Sequence, residues 1–466
     1  MKFDEILENL ESDGKILDFR FSNTQIPMYL MIRFMLIQSL INKEFNLSNP
    51  HVKVNKKSLK EIFKYIYYTL KSNLYFAPKK DIYIFSSGIV NKFENKKYTN
   101  RLYDEFYQLF KDKTQIIESS VKLSYLLPKK EKIYFRDLID IIIILCSKTK
   151  KLKKDEIDEI DIFLEYLKNK EIFNYDNSIF SDIKKTLIKI RKRMSISFLI
   201  YRQFLKIKKP RVIIVEDAHY FGHLALLLEA KKLGIKTVEY QHGYVGLSHP
   251  SYNYHKSIFD NIKTYLPEYF LTHGNYWNEV TRTPSHKVQI GLADLSNKID
   301  KIRITEKISN KILFISGGTV FEELNQLIEK SLIALKALDY EILLRPHPSE
   351  IPEIEIRYLN LIKKGVKIDT SNLYDTLQNV EVVVGMEVST VLYEAVCFIN
   401  KVYMMNTNYT NFYEPKSAFI SFNDDLELVK SIKESKVLEK DINYFWNSDW
   451  KQNYINFIEN TIGILK

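Results

Sequence analysis

Two short stretches in different halves of the chain place a histidine where chemistry is possible. The first reads Tyr240-Gln241-His242-Gly243 and the second reads Arg345-Pro346-His347-Pro348. Each follows an apolar run typical of a buried strand, so each histidine is predicted at the carboxyl edge of a parallel sheet, where open α/β proteins bind ligands. If the two halves face each other, both imidazoles line one cleft. The pattern predicts an enzyme acting on a phosphate-bearing ligand between two Rossmann-like domains.

Candidate proton-transfer groups cluster in the first half. Histidine is a residue type suited to proton transfer near neutral pH, so His242 could be a general base or a donor to a leaving phosphate. Gln241 and Gly243 flank it on the acceptor side, and the glycine would let a ligand or backbone come close. Glu216 and Asp217 end the neighbouring strand, so either carboxylate could share the cleft. For Asp217 the alternative is capping of the helix that follows.

The second half offers groups that could hold a phosphate. Arg345 would add a bidentate contact beside His347, and Ser389-Thr390 precede a helix whose N-terminal N–H groups attract anions. These two hydroxyls could equally be N-caps. Glu394, one turn into that helix, could accept from ribose hydroxyls or be a solvated surface residue. Gly317-Gly318 form a small-residue turn after a strand, which an ordinary β-α connection also explains.

The alternation of apolar strands and helical stretches predicts the fold class. We expect an α/β protein with two Rossmann-like domains facing across a cleft and helices at the C-terminus. In a chain of 466 residues, the expected divisions are an N-terminal acceptor-side domain with helical additions (1–295), a C-terminal Rossmann-like domain (296–430) and C-terminal helices (431–466). The polar stretch 294–310 is predicted to be an interdomain linker.

Composition narrows the class of protein. The chain is 45% hydrophobic and 27% charged, which is typical of a globular protein. Its first residues lack the apolar core of a signal peptide, and the apolar run 138–146 is far short of the ~20 residues that span a bilayer. Cys146 and Cys397 lie in apolar runs, which predicts buried thiols in a reducing cytoplasm. The histidines show no zinc-ligand spacing with cysteines or carboxylates, so no metal is expected.

The net charge of +11 is concentrated in basic clusters at 148–154 and 184–209. Interleaved apolar residues predict that 183–206 is a helix with one apolar and one basic face. A solvated basic face is one interpretation, and contact with the anionic inner face of the plasma membrane is the other. Nucleic acid is not expected as a partner, because no recognised binding motif accompanies the charge.

The chain shares several short motifs with one family of enzymes: Gln241-His242-Gly243, Ser248-His249-Pro250-Ser251-Tyr252, Asn275-Tyr276-Trp277, Gln289-Ile290-Gly291, Arg345-Pro346-His347-Pro348, and Ser389-Thr390 before Tyr393-Glu394-Ala395. On these motifs, residues 210–400 resemble GT-B-type glycosyltransferases of bacterial surface-carbohydrate (capsule and lipopolysaccharide) biosynthesis. Similar His-Gly and His-Pro pairs occur in teichoic-acid glycerophosphotransferases, and the His-Pro element occurs in CMP-sugar transferases.

The resemblance implies a GT-B architecture and an inverting, metal-independent sugar transfer. The donor would be a nucleotide sugar, linked to CMP, CDP or UDP, with no further cofactor. The acceptor would be a surface polysaccharide or a lipid-linked glycan. Alternatives are a glycerol- or polyol-phosphotransferase of the teichoic-acid type, a sugar-nucleotide epimerase, and a non-catalytic capsule-assembly scaffold.

The resemblance also implies roles for individual residues. In the second domain, His347 and the hydroxyls of Ser389-Thr390 would hold the donor's phosphate. In the first domain, Glu216-Asp217 or His242 would activate the acceptor. The sialyl and Kdo transferases have glycine after the acidic pair, whereas this chain has Ala218. That departure favours His242 as the base.

Overall fold

The computed structural model describes residues 3–45, 57–88, 91–94, 96–173, 178–302, 309–387, 389–408, 418–438 and 441–465. Within them the chain forms two parallel β-sheets, each covered by helices, and one small antiparallel hairpin.

The N-terminal domain is built on a seven-stranded sheet. Its strands and those of the hairpin are β1 (Ile82–Ser86), β2 (Asn91–Glu94), β3 (Lys97–Asn100), β4 (Thr114–Glu118), β5 (Ile133–Phe135), β6 (Val212–Val215), β7 (Lys236–Tyr240), β8 (Tyr269–Thr272) and β9 (His286–Gln289). The sheet order is β5-β4-β1-β6-β7-β8-β9, with every pair parallel, and β2 and β3 form the hairpin. The chain winds outward from β1 to one edge and then restarts beside it at β6, so the crevice between β1 and β6 is a topological switch point.

Eleven helices of the described chain accompany this sheet: α1 (Phe3–Glu11), α2 (Met28–Glu44), α3 (Leu59–Lys71), α4 (Asp104–Leu109), α5 (Asp137–Thr149), α6 (Lys154–Lys168), α7 (Ser178–Lys208), α8 (Leu224–Lys232), α9 (Phe259–Ile262), α10 (Asn275–Val280) and α11 (Ala293–Ile302). Between β6 and β7, α8 ends at Gly234, whose φ of 70° is the left-handed conformation that glycine tolerates best. The amides of Gly234 and Ile235 close the last turn by donating to Lys231 and Ala230.

The second domain repeats the same winding on six strands: β10 (Lys311–Ile315), β11 (Glu341–Arg345), β12 (Lys367–Ile368), β13 (Val382–Gly385), β14 (Lys401–Met405) and β15 (Ile420–Phe422). The order is β12-β11-β10-β13-β14-β15, all parallel, which places a second switch point between β10 and β13. Its helices are α12 (Phe321–Ala337), α13 (Ile354–Arg357), α14 (Leu359–Lys363), α15 (Leu373–Leu377), α16 (Thr390–Ala395) and α17 (Asp425–Lys433).

The C-terminal segment crosses back to the first domain. It contains α18 (Ile442–Phe445), α19 (Trp450–Asn456) and a π-helical turn over Phe457–Ile462. The Tyr454 ring lies 4.4 Å from that of Phe106, and the Trp277 indole donates to the carbonyl of Phe445 at 2.8 Å. One buried apolar cluster therefore continues from the first sheet through this segment into the second domain.

The carboxyl edges of the two sheets meet. Tyr244, just after β7, donates its backbone N–H to the Thr390 hydroxyl at 2.8 Å. Arg101 pairs with Glu394 at 2.5 Å, and the hydroxyls of Tyr276 and Tyr393 lie 3.0 Å apart. Two doubly wound domains facing each other across their strand ends, with helices at the C-terminus, form the GT-B architecture, so the predicted fold class is confirmed.

Two expectations about local structure were wrong. Residues 294–302 belong to α11 rather than to an irregular linker, because Leu295 and Ile299, one helical turn apart, pack into the shared core. The remainder of the predicted linker includes residues 303–308, which lie outside the described residues. The Cys146 thiol is exposed, because the apolar run around it forms α5 and that side of the helix faces outward.

The basic helix predicted over 183–206 is present as part of α7. Its apolar side is buried in the N-terminal domain, with Ile183, Leu187 and Phe204 fully covered. Arg191 is also buried, and it pairs with Glu156 at 2.8 Å. The apolar stripe of α7 is thus used within the fold, and its basic side includes exposed residues such as Lys185 and Lys189.

Candidate active site

His242 follows β7 at the carboxyl edge of the first sheet and is half-buried. Its Nδ1 lies 3.0 Å from the Glu216 carbonyl oxygen and 3.3 Å from the Tyr252 hydroxyl. Because a carbonyl can only accept, Nδ1 carries the proton in the neutral ring, and Nε2 keeps its lone pair. No hydrogen bond joins Nε2 to any residue that the structure describes. The arrangement prepares Nε2 to accept a proton.

A buried carboxylate holds the tyrosine that contacts this histidine. Glu239, fully buried in β7, accepts a hydrogen bond of 2.5 Å from the Tyr252 hydroxyl. It also accepts from the His219 backbone N–H at 3.1 Å and contacts the ring Nδ1 of that histidine. Burial, reinforced by the Glu239 charge, raises the pKa of Tyr252, so its hydroxyl stays protonated and in place beside His242.

The Glu216 side chain links β6 to β1 through hydrogen bonds. Its buried carboxylate accepts from the Ser86 hydroxyl at 2.6 Å, the Ser87 hydroxyl at 2.7 Å and the Ser87 backbone N–H at 2.9 Å. These bonds cross the switch point between β1 and β6. Glu216 would have to release several of these donors before it could accept a substrate's proton, and its backbone carbonyl already orients His242.

Asp217 lies at the same edge, but its carboxylate is engaged by His223. Its Oδ1 is 2.9 Å from the Nε2 of His223, whose ring also contacts the Arg136 guanidinium. Burial acts to raise the pKa of Asp217, but His223, Arg136 and His242 together hold that pKa well below its usual range. A carboxylate so easily ionised is a weak general base. It makes no capping hydrogen bond, so the alternative of a helix cap was wrong.

Gln241 and Gly243 shape the turn that carries His242. The Gln241 side chain is buried, donates to the Gly243 carbonyl at 2.8 Å and accepts from the His273 backbone N–H at 2.9 Å. A Cβ added at Gly243 would lie 3.4 Å from the Thr390 hydroxyl of the other domain. That distance is ordinary van der Waals contact, so the two domains approach closely at Gly243 without the spacing itself requiring a glycine.

In the second domain, the Gly317-Gly318 turn after β10 is occupied by a carboxylate of the chain itself. Glu387, which follows β13, accepts from the backbone N–H groups of Thr319 at 2.9 Å and Val320 at 3.0 Å, and from that of Gly317. A Cβ on Gly317 would come within 2.5 Å of the Glu387 carboxylate. The turn thus binds an anion, but in this structure the anion is an internal side chain across the switch point.

His347 and Arg345 end the neighbouring strand β11. The His347 Nδ1 accepts from the Ser349 backbone N–H at 3.2 Å, which leaves Nε2–H as an exposed donor. Partial burial lowers the pKa of His347, against the opposing effect of Glu350, so the ring is neutral at neutral pH. Arg345 instead pairs with Asp369 at 2.5 Å and donates to the Ser371 carbonyl at 3.0 Å.

The residues of the predicted Ser389–Glu394 segment divide between capping and domain contact. Ser389 caps α16 by accepting from the Val391 backbone N–H at 3.2 Å. The Thr390 hydroxyl accepts from Tyr244 of the first domain. Glu394 is buried rather than solvated, because Arg101 from the first domain pairs with it. The structure thus brings the His242 loop directly against Thr390, while His347 lies beyond the β10 turn.

Two candidate functional residues were not predicted from the sequence. Glu239 stands in an otherwise apolar strand, and a lone carboxylate in such a run is a usable signal. His273 repeats the His-Gly pattern, since His273-Gly274 follow β8 as His242-Gly243 follow β7. Its ring is buried, and neither ring nitrogen has a hydrogen-bond partner among the described residues. Burial, with the Arg101 charge nearby, lowers the pKa of His273 well below its usual range.

A depression also lies at the opposite, amino edge of the first sheet, and two of the lysines that line it donate to backbone carbonyls. Lys231 donates to the carbonyls of Thr264 and Leu266, and Lys287 donates to that of Thr281. Within the described residues, no three or more His, Cys, Asp or Glu side chains are grouped so that they could hold a metal ion. None of the helices described is long and apolar enough to cross a membrane.

No protein-family model matches this chain, and no curated protein is similar to it in sequence. Solved structures do resemble it. UDP-GlcNAc 2-epimerase from Methanocaldococcus jannaschii, in complex with UDP-GlcNAc and UDP, superposes with a TM-score of 0.45 at 14% identity, over 81% of this chain and 99% of the epimerase. MurG from Acinetobacter baumannii gives a TM-score of 0.39 at 10% identity, over 76% of this chain and 90% of MurG.

A plant enzyme shows a similar degree of likeness. Os79 from O. sativa, in complex with UDP and deoxynivalenol-3-glucoside, gives a TM-score of 0.42 at 10% identity, over 82% of this chain and 95% of Os79. At such identities and TM-scores, any statement about function must rest on the residues of this chain.

Proposed function

We propose that this chain is a glycosyltransferase that moves a sugar from a nucleotide-activated donor to a surface-polysaccharide or lipid-linked glycan acceptor. The observation that carries the proposal is the position and orientation of the His242 ring. Its Nδ1 is fixed by the Glu216 carbonyl, and its loop touches Thr390 across the interface of two switch-point domains. An imidazole whose Nε2 makes no hydrogen bond to the described residues, placed between an acceptor-side and a donor-side domain, suits deprotonation of a hydroxyl.

The proposed reaction inverts the configuration at the anomeric carbon of the transferred sugar. His242 Nε2 takes the proton of the acceptor hydroxyl while that oxygen forms a bond to the anomeric carbon. The bond from this carbon to the donor's phosphate oxygen breaks, and the leaving nucleotide takes the electron pair. Its charge would be met by the Nε2–H of His347 and the hydroxyls of Ser389 and Thr390. Arg345 would add a long-range positive charge, since its guanidinium is engaged by Asp369.

Donor entry requires the domains to separate. In this structure Thr390 accepts from Tyr244, and Glu394 is held by Arg101, so both donor-side groups contact the first domain. Within the second domain itself, the Glu387 side chain fills the Gly317-Gly318 turn. Opening would free Thr390 and Glu394, and closing around both substrates would exclude water that otherwise hydrolyses the donor.

We expect His347→Ala to weaken binding of the cognate nucleotide by about tenfold or more, since a hydrogen bond to a charged group contributes roughly 1.5–3 kcal/mol. The check is calorimetric titration with CMP, CDP and UDP, which also identifies the nucleotide. His286→Ala is the matched control, because His286 is exposed at the opposite edge of the first sheet. Equal affinities of wild type and His347→Ala for the cognate nucleotide would remove His347 from the donor site.

Transfer is expected to need no divalent metal, because the proposed charge stabilisation uses imidazole and hydroxyl donors. The rate should stay the same in EDTA and should not rise when Mg²⁺ or Mn²⁺ is added back. Loss in EDTA with recovery on metal addition would contradict the proposal. Incubation with donor alone tests the epimerase alternative, because an epimerase forms its product without an acceptor.

A further inference from the structure

Helix α3 presents an apolar face to solvent. Along it, apolar side chains recur every three or four residues and so share one side of the helix: Leu59, Ile62, Phe63, Ile66, Tyr67 and Leu70. In a globular protein such a stripe normally packs against the core. Here Leu59 is 75% exposed, Phe63 70% and Leu70 54%, and Phe76 just beyond the helix is 64% exposed.

Specific contacts on the other side of α3 hold it in this orientation. The Tyr65 hydroxyl donates to Asp137 at 3.2 Å, and its ring stacks on that of Tyr125 with centroids 5.4 Å apart. Thr69 is buried, with its hydroxyl 2.6 Å from that of Tyr125. The polar and aromatic side of α3 therefore faces the domain, and the exposure of its apolar stripe is a feature of the fold.

Positive charge borders the apolar stripe. At 100° per residue, Lys60, Lys64 and Lys71 fall along one margin of the stripe. All three are exposed, and no acidic residue of the described chain pairs with Lys60 or Lys64. The one carboxylate of the helix, Glu61, is turned back into its N-terminal capping box. An exposed apolar face beside unpaired lysines matches the two components of an anionic bilayer surface, acyl chains and negative headgroups.

The neighbouring helix α5 adds to this surface. It packs against α3, and Leu145 near its end is 57% exposed. Four further lysines are exposed, in the last turn of α5 and from there to the start of α6: Lys148, Lys151, Lys153 and Lys154. The charge of this region is therefore positive over more than one element.

The C-terminal end of α3 lies at the carboxyl edge of the first sheet, beside β5 and four strands away from β7, which precedes His242. The end of α3 meets the end of β5, where the Phe135 N–H donates to the Ser72 carbonyl at 2.7 Å. Asp137, which holds Tyr65, is also bonded by Ser120 just after β4. Both strands end at the carboxyl edge of the sheet that carries the His242 loop.

We propose that α3 docks the protein on an anionic lipid bilayer, with its apolar stripe among the acyl chains and Lys60, Lys64 and Lys71 at the headgroups. Docking in this way holds the carboxyl ends of β4 and β5, beside which α3 packs, near the membrane. That orientation suits a lipid-linked acceptor, a refinement that rests on the proposed function; the docking itself does not.

The test is co-sedimentation of the full chain with vesicles. Wild type should bind vesicles of phosphatidylglycerol and phosphatidylcholine, bind pure phosphatidylcholine weakly, and lose affinity as salt is raised. The double variant Phe63→Asp/Leu70→Asp should lower the partition coefficient by about tenfold or more, since it removes two large apolar side chains from the acyl region. Ile333→Asp is the matched control, because Ile333 is 82% exposed on a helix of the other domain. It should bind like wild type.

A second readout tests insertion without weakening the surface. The indole introduced by Phe63→Trp should be quenched by brominated lipids in anionic vesicles. The native protein should show much less quenching, because Trp277 and Trp446 are buried and the half-buried Trp450 packs on Phe106 of α4. Failure of the wild type to bind anionic vesicles would overturn the proposal. So would light scattering that shows a dimer in wild type and a monomer in Phe63→Asp/Leu70→Asp, because α3 would then pair with a second copy.

The docking variant also separates the two proposals. Transfer to a soluble acceptor should be unchanged in Phe63→Asp/Leu70→Asp, since α3 contributes no residue to the cleft, while transfer to an acceptor in vesicles should fall. Absence of any transfer by wild type with intact vesicle binding would reject the proposed function and leave docking standing.

Discussion

His242→Ala is expected to lower the transfer rate by about 10²–10⁴-fold while leaving nucleotide affinity unchanged. In the proposed mechanism His242 is the general base, which contributes a factor of this size by removing the acceptor proton in the transition state, and the nucleotide would be held by the other domain. Single-turnover rates and calorimetric nucleotide titration of the same preparation measure both quantities. His286→Ala, an exposed histidine at the other edge of the sheet, should behave as wild type in both.

Variants of the two neighbouring carboxylates complete this experiment. Asp217→Asn should retain more activity than His242→Ala, because the lowered pKa of Asp217 makes its carboxylate a weak base. Glu216→Gln preserves the backbone carbonyl that orients His242 but disturbs the bonds to Ser86 and Ser87, so a fall in stability should accompany any fall in rate. A near-normal rate in His242→Ala together with an inactive but folded Asp217→Asn would transfer the role of base to Asp217.

Arg33→Ala is expected to reduce the free energy of unfolding by about 3–5 kcal/mol, the range observed when one partner of a buried ion pair is removed. Arg33 is 1% exposed and pairs with the fully buried Glu11 at 2.6 Å. It also donates to the Asn253 carbonyl at 2.6 Å and stacks over the Tyr254 ring at 4.0 Å. The variant leaves the Glu11 carboxylate buried without its cation, and urea unfolding monitored by circular dichroism measures the loss.

A double variant distinguishes the buried charge from simple loss of packing. Arg33→Leu/Glu11→Leu removes both charges and should be more stable than Arg33→Leu alone, because neither charge is then left unpaired. Arg20→Ala is a suitable surface control, since Arg20 makes its hydrogen bonds to Gln25 and Tyr265 in a more exposed position. Equal stability of Arg33→Ala and wild type would show that the Glu11–Arg33 pair adds nothing to the fold.

The Glu11–Arg33 pair also matters for the site. Its bonds to the carbonyls of Pro250 and Asn253 join α1 and α2 to the loop that ends near Tyr252, which contacts His242. The N-terminal helices, which the sequence analysis assigned only as helical additions, thus support the loop behind the candidate base. We expect Arg33→Ala to lower activity through this loop as well as through global stability.

The sequence by itself determined where the strands lie and which strand ends carry the candidate functional residues. Residues 311–315 form β10, and residues 341–345 form β11. Strand β7 ends just before Gln241-His242-Gly243. This succeeded because apolar runs bounded by glycine, proline and polar residues are local signals, and because parallel strands bring all their carboxyl ends to one edge. The positions of His242, Glu216 and Asp217 at one edge followed from the pattern alone.

Only the tertiary structure decided what each of these groups contacts. Glu216 bonds to Ser86 and Ser87, about 130 positions earlier in the chain, and Glu394 pairs with Arg101 from the other domain. Sequence spacing carries no information on such pairs, because they depend on how the two sheets twist and meet. Glu387 filling the Gly317-Gly318 turn has the same origin.

The direction in which an apolar stripe faces was likewise decided by packing. Helices α3 and α7 both carry apolar residues at helical spacing, yet α7 buries its stripe whereas α3 exposes its own. Periodicity reports that a helix has an apolar side, but the free energy gained by covering it is available from any apolar partner, inside or outside the chain. In α3, the bonds of Tyr65 to Asp137 and of Thr69 to Tyr125 turn that side outward, and no local pattern encodes those contacts.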